Sequence, residues 1–260
     1  MKTSLIGFGN RYPLTLALER NKIEHDFEFF IKRPVEVEKD WKKEKFETGL
    51  LSAGAIISNS KAIPLRSWGI SSSGPVMSVG IFSDRPWKEL KECRIRDLSS
   101  GVTSPLLLKA IWKEKFKHYP KLIHADDPRS SEAVLCIGDK ALRWYQNGKY
   151  AFFEDLGLVW HEMTGTSIPY AFWCVKRGSK AEEYKNEIDK KLSSSYSWGK
   201  KNIDKIKESI MISSGVNKKT AKQYLECYEV KLEKKILQGW NIFKELTRPI
   251  ISKERYDNKK

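Results

Sequence analysis

Short apolar runs alternate with helical segments through the first two thirds of this chain, and this alternation restricts its fold more than any other feature. The first predicted strands span residues 3–8, 27–31 and 53–57, with predicted helices at 13–21 and 41–46 between them. A strand–helix–strand–helix–strand order is typical of a parallel sheet with helices packed on it. We therefore expect an α/β fold.

The same alternation starts again after residue 82 and predicts a second α/β lobe. Its predicted strands lie at residues 76–82, 93–98, 133–137 and 170–175. Ser99 and Ser100 are the predicted caps of a helix at 105–116. From residue 179 the apolar spacing becomes helical, with Asn217 as the expected N-cap of one helix.

The formal charge of +15 is concentrated in the last third of the chain, where residues 176–260 hold 22 Lys and Arg against 12 Asp and Glu. One interpretation is a nucleic-acid-binding face. The other, which we favour, is a lysine-rich helical surface in water, because acids alternate with the lysines and no nucleic-acid-binding motif accompanies them. We expect no nucleic-acid partner, and a cationic surface of this kind steers small anions towards the protein.

Cysteine usage and hydropathy indicate a cytoplasmic protein. The four cysteines form no C-x-x-C pair, so we expect reduced, buried thiols and neither a zinc site nor a disulfide framework. The first apolar stretch is too short for a signal-peptide core, and no run approaches the roughly 18 apolar residues of a membrane span. The sequence predicts a soluble chain with no membrane partner, and it leaves the oligomeric state open.

Polar motifs stand where the apolar runs stop. They occupy residues 7–14, 71–79, 99–108, 137–142 and 155–165. Glycines, hydroxyls and amides recur in them, which indicates loops that hold a small anion through backbone N–H groups and side-chain hydroxyls. They contain no Ser/His/Asp arrangement of a hydrolase.

Five side chains in these motifs are candidates for ligand contact, each with an alternative. Asn10 follows a strand where a helix begins, a common ligand position in α/β sheets, or it takes a left-handed turn. Thr103 and Ser104 stand at a helix start, which suits a carboxylate or phosphate, or they are a plain cap. Ser78 lies in an apolar strand, so its hydroxyl needs a partner or faces a cleft. Asp139 either serves the site or caps the helix after it.

Two familiar motifs are excluded by single residues. The dinucleotide fingerprint G-x-G-x-x-G would need glycine at Tyr12, and the zinc motif H-E-x-x-H would need histidine at Gly165. We therefore expect no metal and no cofactor.

Taken in order and spacing, the motifs resemble the menaquinone biosynthesis family of the futalosine pathway, and within it the chorismate dehydratases. The matching elements are Phe8-x-Asn10 with Pro13-Leu14, Gly49 to Ser58, Gly74 to Val79, Thr103-Ser104, Ile137 to Leu142 and Asp155 to Gly165. Together they extend over nearly the whole chain.

This resemblance implies a two-lobed, periplasmic-binding-protein-like type II fold with a ligand cleft between the lobes. Lobe 1 would comprise residues 1–82 and 177–260, with the C-terminal helices, and lobe 2 residues 83–176. The implied reaction removes water from chorismate and yields 3-[(1-carboxyvinyl)oxy]benzoate.

The resemblance also implies roles for individual residues. Asn10 and Ser78 would contact the reacting ring. The residues that would hold the carboxylates or line the cleft are Ser58, Thr103, Ser104, Gly138 and Asp139. Arg11 stands where the family has a small residue, and it would add a cation for a carboxylate.

Departures from the family pattern keep two alternatives open. Phe8-Gly9 replaces a Tyr-Leu pair, and Ser73 replaces an aspartate. Pro169 stands as in the sister enzyme, 1,4-dihydroxy-6-naphthoate synthase. The first alternative is that sister reaction, and the second is a non-catalytic binding protein for an aromatic carboxylate.

Overall fold

The computed structural model of the chain describes residues 1–124, 126–127 and 130–257, with the last four, 254–257, described by backbone alone. The chain divides into two compact units by its internal contacts. Unit 1 comprises Met1–Ser71 and Pro169–Glu233, and unit 2 comprises Ser72–Ile168 and Lys234–Lys260. Each unit contains one sheet with helices, so the expected α/β class with two lobes is confirmed.

Unit 1 is built on a six-stranded sheet. Its strands are β1 (Lys2–Ile6), β2 (Glu28–Lys32), β3 (Thr48–Ser52), β4 (Ala62–Ser72), β10 (Ile168–Lys176) and β11 (Glu229–Lys231), in the spatial order β11-β4-β10-β3-β1-β2. β1 runs parallel to both β2 and β3, whereas β10 is antiparallel to β3. The helices of the unit are α1 (Tyr12–Glu19), α2 (Pro34–Lys42), α3 (Ala53–Ile57), α7 (Lys180–Glu183), α8 (Lys185–Lys201), α9 (Ile203–Ser214) and α10 (Lys218–Glu226).

Unit 2 is built on a five-stranded sheet. Its strands are β5 (Val79–Ser83), β6 (Arg94–Asp97), β7 (Lys121–His124), β8 (Ala133–Ile137) and β9 (Phe152–Asp155), in the spatial order β7-β6-β8-β5-β9. Its helices are α4 (Thr103–Phe116), α5 (Gly138–Gln146), α6 (Leu156–Thr164) and α11 (Lys234–Asp257). None of the helices in the described parts of the chain combines the length and the hydropathy that a bilayer span requires.

Two hydroxyl side chains on central strands of unit 1 accept hydrogen bonds from buried tryptophans. The indole Nε1 of Trp41 donates to the Ser4 hydroxyl at 2.8 Å, and that of Trp173 donates to the Thr48 hydroxyl at 2.8 Å. All four side chains are buried. The indole N–H groups of Trp41 and Trp173 therefore have partners, which avoids the cost of burying an unpaired donor.

Several elements differ from the sequence prediction. Residues 53–57 form α3 and not a strand, because β3 ends at Ser52 and the chain turns directly into the helix. The helix predicted at 41–46 ends at Lys42 and begins at Pro34, whose ring suits the first turn. The long strand β4 and the helix α6 had no predicted counterpart.

The unit boundaries also differ from the predicted lobe boundaries. The division falls near residues 71 and 168 instead of 82 and 176, and the last helix, α11, belongs to unit 2 instead of lobe 1. α11 packs on α4, and its Gly239 lies against the backbone carbonyl of Ser167. The earlier C-terminal helices remain in unit 1, where α8 packs along α1.

Candidate functional site

Four loop segments meet at one edge of the unit 2 sheet. β6 runs parallel to β8, whereas β5 is antiparallel to both β8 and β9. The carboxyl ends of β6, β8 and β9 therefore lie beside the start of β5. The pairs Val79↔Ile137 and Gly80↔Asp155 fix this register. We call this edge, with residues 74–78, 98–104, 137–139 and 155, the unit 2 edge.

The 74–78 loop, which precedes β5, is held by one carboxylate. Asp155 Oδ2 accepts hydrogen bonds from the backbone N–H groups of Val76 at 2.9 Å and Met77 at 2.7 Å. Its Oδ1 accepts from the N–H groups of Gly157 at 2.9 Å and Leu158 at 3.2 Å, which caps α6. Burial raises the pKa of Asp155, against the lowering effect of these four hydrogen bonds. One side chain thus joins a loop to a helix start.

Ser78 and Gly138 are brought together by the backbone. The N–H of Gly138 donates to the carbonyl oxygen of Ser78 at 2.7 Å. Gly138 has a φ of +66°, a conformation that glycine adopts without steric cost. Ser78 itself is 1% exposed. The structure therefore places these two predicted site residues side by side.

Asp139 is the second residue of α5, while Ile137 occupies the N-cap position and makes no side-chain capping bond. The proposed capping role is therefore wrong in its usual form, since the N-cap side chain belongs to Ile137. A carboxylate in the first turn still interacts favourably with the helix dipole. Asp139 is half-buried at the same edge as Ser78.

Thr103 and Ser104 are the first two residues of α4, a helix of 14 residues. The expected caps Ser99 and Ser100 do not fulfil that role: the Ser99 hydroxyl donates to the carbonyl of Gly101 at 3.3 Å, and Val102 occupies the N-cap position of α4. Both Thr103 and Ser104 are buried. The start of α4 thus presents hydroxyls and the positive end of a helix dipole at the unit 2 edge.

In unit 1, Asn10 lies in a short 3-10 turn, Gly9–Arg11, directly after β1. Gly9 packs against the Ser213 and Ser214 hydroxyls at the end of α9, where an added Cβ would lie 3.2 Å and 3.0 Å from them. Asn10 is half-buried, and the structure records no hydrogen bond of its amide to the described residues. Asn10 therefore lies at the carboxyl end of β1, where the sequence placed it.

Arg11 has an internal partner. Its Nε and Nη2 donate to the two carboxylate oxygens of Glu19 at 3.0 Å each, and its Nη1 donates to the carbonyl of Phe8 at 3.1 Å. The side chain is 7% exposed. A buried bidentate ion pair of this kind gives Arg11 a structural role in holding the turn before α1. We therefore leave it out of the candidate site.

Ser58 lies at the end of α3, where its N–H donates to the carbonyl of Ala55 at 3.2 Å. The residue that ends the parallel strand is Ser52, and its hydroxyl donates to Glu38 at 2.6 Å. Since β1 and β3 are parallel, Ser52 and the Asn10 turn lie at one edge of the sheet, whereas Ser58 follows one helix later. The predicted strand at 53–57 had placed Ser58 at that edge.

The part of the chain that the structure describes contains no cluster of metal ligands. Within residues 1–124, 126–127 and 130–257, no group of three or more His, Cys, Asp or Glu side chains is arranged to hold a metal ion. The four cysteines are free thiols, with Cys227 half-buried and the others buried. Burial raises the pKa of Cys136 to about 11 and raises that of Cys174 as well. These two thiols are therefore protonated and unreactive at neutral pH.

A family model described as menaquinone biosynthesis matches residues 1–249. The chain belongs to the menaquinone biosynthesis family. This confirms the resemblance at the level of the family.

Solved structures agree on the fold. A protein from Archaeoglobus fulgidus superposes with a TM-score of 0.77 at 17% identity, covering 94% of this chain and 95% of that one. The aliphatic sulphonate binding protein SsuA of Escherichia coli gives 0.62 at 12% identity, covering 94% and 84%. SsuA of Xanthomonas axonopodis pv. citri, bound to MOPS, gives 0.66 at 10% identity, covering 95% and 93%. The predicted periplasmic-binding-protein-like fold with two sheets is confirmed.

The role of Asp155 in holding the 74–78 loop was not predicted from the sequence. The signal was present, since an aspartate directly before the apolar run L-G-L-V-W is a typical helix N-cap. Its second pair of hydrogen bonds joins residues separated by almost 80 positions, so no local pattern contains it.

Proposed function

We propose that this chain is a chorismate dehydratase, a cytoplasmic lyase that converts chorismate to 3-[(1-carboxyvinyl)oxy]benzoate and water without a metal or cofactor. The family match over residues 1–249 supports a step in menaquinone biosynthesis. The observation that carries the specific proposal is the unit 2 edge, where the Gly138 N–H donates to the Ser78 carbonyl oxygen at 2.7 Å and α4 begins with two hydroxyl residues at the same edge.

The chemistry of the reaction suits such an edge. Loss of the ring hydroxyl and a neighbouring proton makes the ring aromatic, so the substrate itself supplies much of the driving force. The protein needs to bind two carboxylates, orient the leaving hydroxyl and exclude water. Hydroxyls and helix starts bind carboxylates well, because their dipoles point at the negative charge.

Each predicted residue except Arg11 then has a role. Ser78 and Asn10 contact the reacting ring and are the proposed catalytic residues. Thr103 and Ser104 at the start of α4 bind a carboxylate, and the Gly138–Asp139 segment lines the site. Ser58 remains a proposed contact with weaker support, since α3 separates it from the end of β3.

The test is to incubate the purified protein with chorismate, without added metal or cofactor, and to analyse the products by mass spectrometry. We expect a product lighter by one water, lost or reduced about 100-fold or more in Asn10→Ala and in Ser78→Ala. Thr247→Ala is the matched control, because it removes an equally buried hydroxyl that donates within α11 at 2.6 Å. It should leave the rate unchanged.

Unchanged chorismate from folded protein would overturn the proposal. Turnover of a cyclic futalosine derivative would then identify the sister reaction, which the position of Pro169 at the start of β10 favours. Binding of chorismate without turnover would identify a binding protein.

A further inference from the structure

The 74–78 loop contains a backbone conformation that its sequence disfavours. Met77 has a φ of +62°, in the left-handed region that residues other than glycine rarely adopt. Its side chain is buried, so packing restrains the side chain in addition to the backbone. A conformation of this kind persists only where the surroundings determine it.

The Asp155 carboxylate is the group that determines it. Successive N–H groups followed by a left-handed residue form a concave site for an anion. In this loop the Val76 and Met77 N–H groups converge on Oδ2 of Asp155 at 2.9 and 2.7 Å. Asp155 is 8% exposed, so water does not compete strongly for these donors.

The loop leads directly into the proposed catalytic serine. Ser78 follows Met77, and its carbonyl accepts the Gly138 N–H at 2.7 Å before the β5–β8 ladder begins at Val79. A second tie holds the start of the segment, where the Ser73 and Ser167 hydroxyls lie 2.7 Å apart. The direction of the Ser78 side chain therefore depends on the conformation of Met77.

We infer that Asp155 is a positioning residue for catalysis, which fixes the 74–78 loop so that the Ser78 hydroxyl meets the substrate in one geometry. This inference rests on the proposed dehydratase function. Asp155 performs this task beside a separate one, because its other carboxylate oxygen caps α6.

The two tasks can be separated by substitution. In Asp155→Ser the hydroxyl still caps α6, but it is too short to reach the Val76 and Met77 N–H groups as well. Asp155→Asn keeps the size of the side chain but replaces one carboxylate oxygen with an NH2 group. That NH2 group would face two backbone N–H donors and could not accept from them. Asn217→Ala is the matched control, because Asn217 caps α10 in unit 1 by accepting the Thr220 N–H at 2.9 Å.

The experiment measures hydrogen exchange and steady-state kinetics with chorismate on the full-length chain. In Asp155→Ser we expect exchange at Val76 and Met77 to rise at least about tenfold, with α6 changed much less. We expect kcat to fall about 10- to 100-fold, with a smaller change in KM. Asn217→Ala should alter exchange in α10 alone and leave kcat unchanged.

A double-mutant cycle shows whether the effect passes through Ser78. In a Ser78→Ala background, Asp155→Ser should lower kcat no further, because the residue it positions has lost its hydroxyl. Two results would each overturn the inference: a protected 74–78 loop in Asp155→Ser, or losses of kcat that multiply in the double variant.

Failure of the proposed function gives a different result. Wild-type protein that consumes no chorismate would overturn the dehydratase proposal and the catalytic half of this inference together. Hydrogen exchange in Asp155→Ser would then decide alone whether Asp155 holds the loop.

Discussion

At the scale of single residues, the partner of a polar side chain decides what that side chain does. Arg11 was expected to meet a substrate carboxylate, but the carboxylate of Glu19, about two helix turns further along α1, pairs with its guanidinium. Asp155 looked like part of a polar motif, and it proves to join a loop to a helix. Residue identity predicted polar function in both cases, whereas only the neighbours in space distinguish binding from support.

Asp40 offers a test of residue-scale electrostatics away from the site. The ammonium groups of Lys32 and Lys45 donate to its carboxylate at 2.6 and 2.8 Å and hold its pKa at about 2, below the usual 3.8. A lowered pKa contributes stability that is present above about pH 4 and is lost as the pH falls through about 2. We expect Asp40→Asn to remove this pH-dependent contribution to the free energy of unfolding.

The measurement is urea denaturation of wild type and variant from pH 7 to pH 2. The difference in unfolding free energy should be largest near neutral pH and shrink towards pH 2. Glu24→Gln is the control, because this exposed carboxyl makes no hydrogen bond or ion pair with the described residues. A difference between wild type and Asp40→Asn that does not vary with pH would contradict the prediction.

At the scale of elements, several predicted strands and helices are confirmed, whereas one short apolar run was assigned to the wrong structure. The strands β8 and β10, the helix α4 and the Asn217 cap of α10 lie where the pattern placed them, within a few residues. Residues 53–57 were assigned to a strand and form α3. Five apolar residues fit either structure, because they are too few to distinguish a period of 2 from one of 3.6.

Gly239 tests the packing of the last helix. Glycine inside a helix is about 1 kcal/mol less favourable than alanine, so Gly239→Ala would stabilise an isolated α11. In the fold, the added Cβ would collide with the carbonyl oxygen of Ser167, a backbone atom that cannot move away cheaply. We expect the cost of this collision to exceed the gain in helix propensity, so that the free energy of unfolding falls by about 2 kcal/mol.

Thermal and urea denaturation measure whether Gly239→Ala lowers or raises the stability of the protein. Gln238→Ala, at the exposed neighbouring position, is the control and should change stability by no more than about 0.5 kcal/mol. A stabilised Gly239→Ala protein would mean that α11 does not pack closely on the segment that leads into β10.

At the scale of the whole molecule, the chain passes from unit 1 to unit 2 and back again, and its last helix, α11, belongs to unit 2. Phe243 of α11 is fully buried and contacts Trp160 and Trp240, with ring centroids 6.1 Å apart in each pair. Phe243→Ala should cost about 3–5 kcal/mol and accelerate hydrogen exchange mainly in residues 72–168.

Phe172→Ala is the matched control in unit 1, since Phe172 is also fully buried, in β10. It should accelerate exchange mainly in residues 1–71 and 169–233. Equal acceleration in both units from either variant would contradict the division into two units.

The sequence by itself determined the α/β class, the number of lobes, the family and most of the residues gathered at the unit 2 edge. These follow from local periodicity and from motifs that keep their order along the chain. Only the tertiary structure decided the partner of Arg11, the task of Asp155 at the 74–78 loop and the unit to which α11 belongs. Each of these depends on contacts between distant residues, some of them nearly 80 positions apart, and hydrophobic burial and hydrogen-bond geometry select such contacts only once the chain is folded.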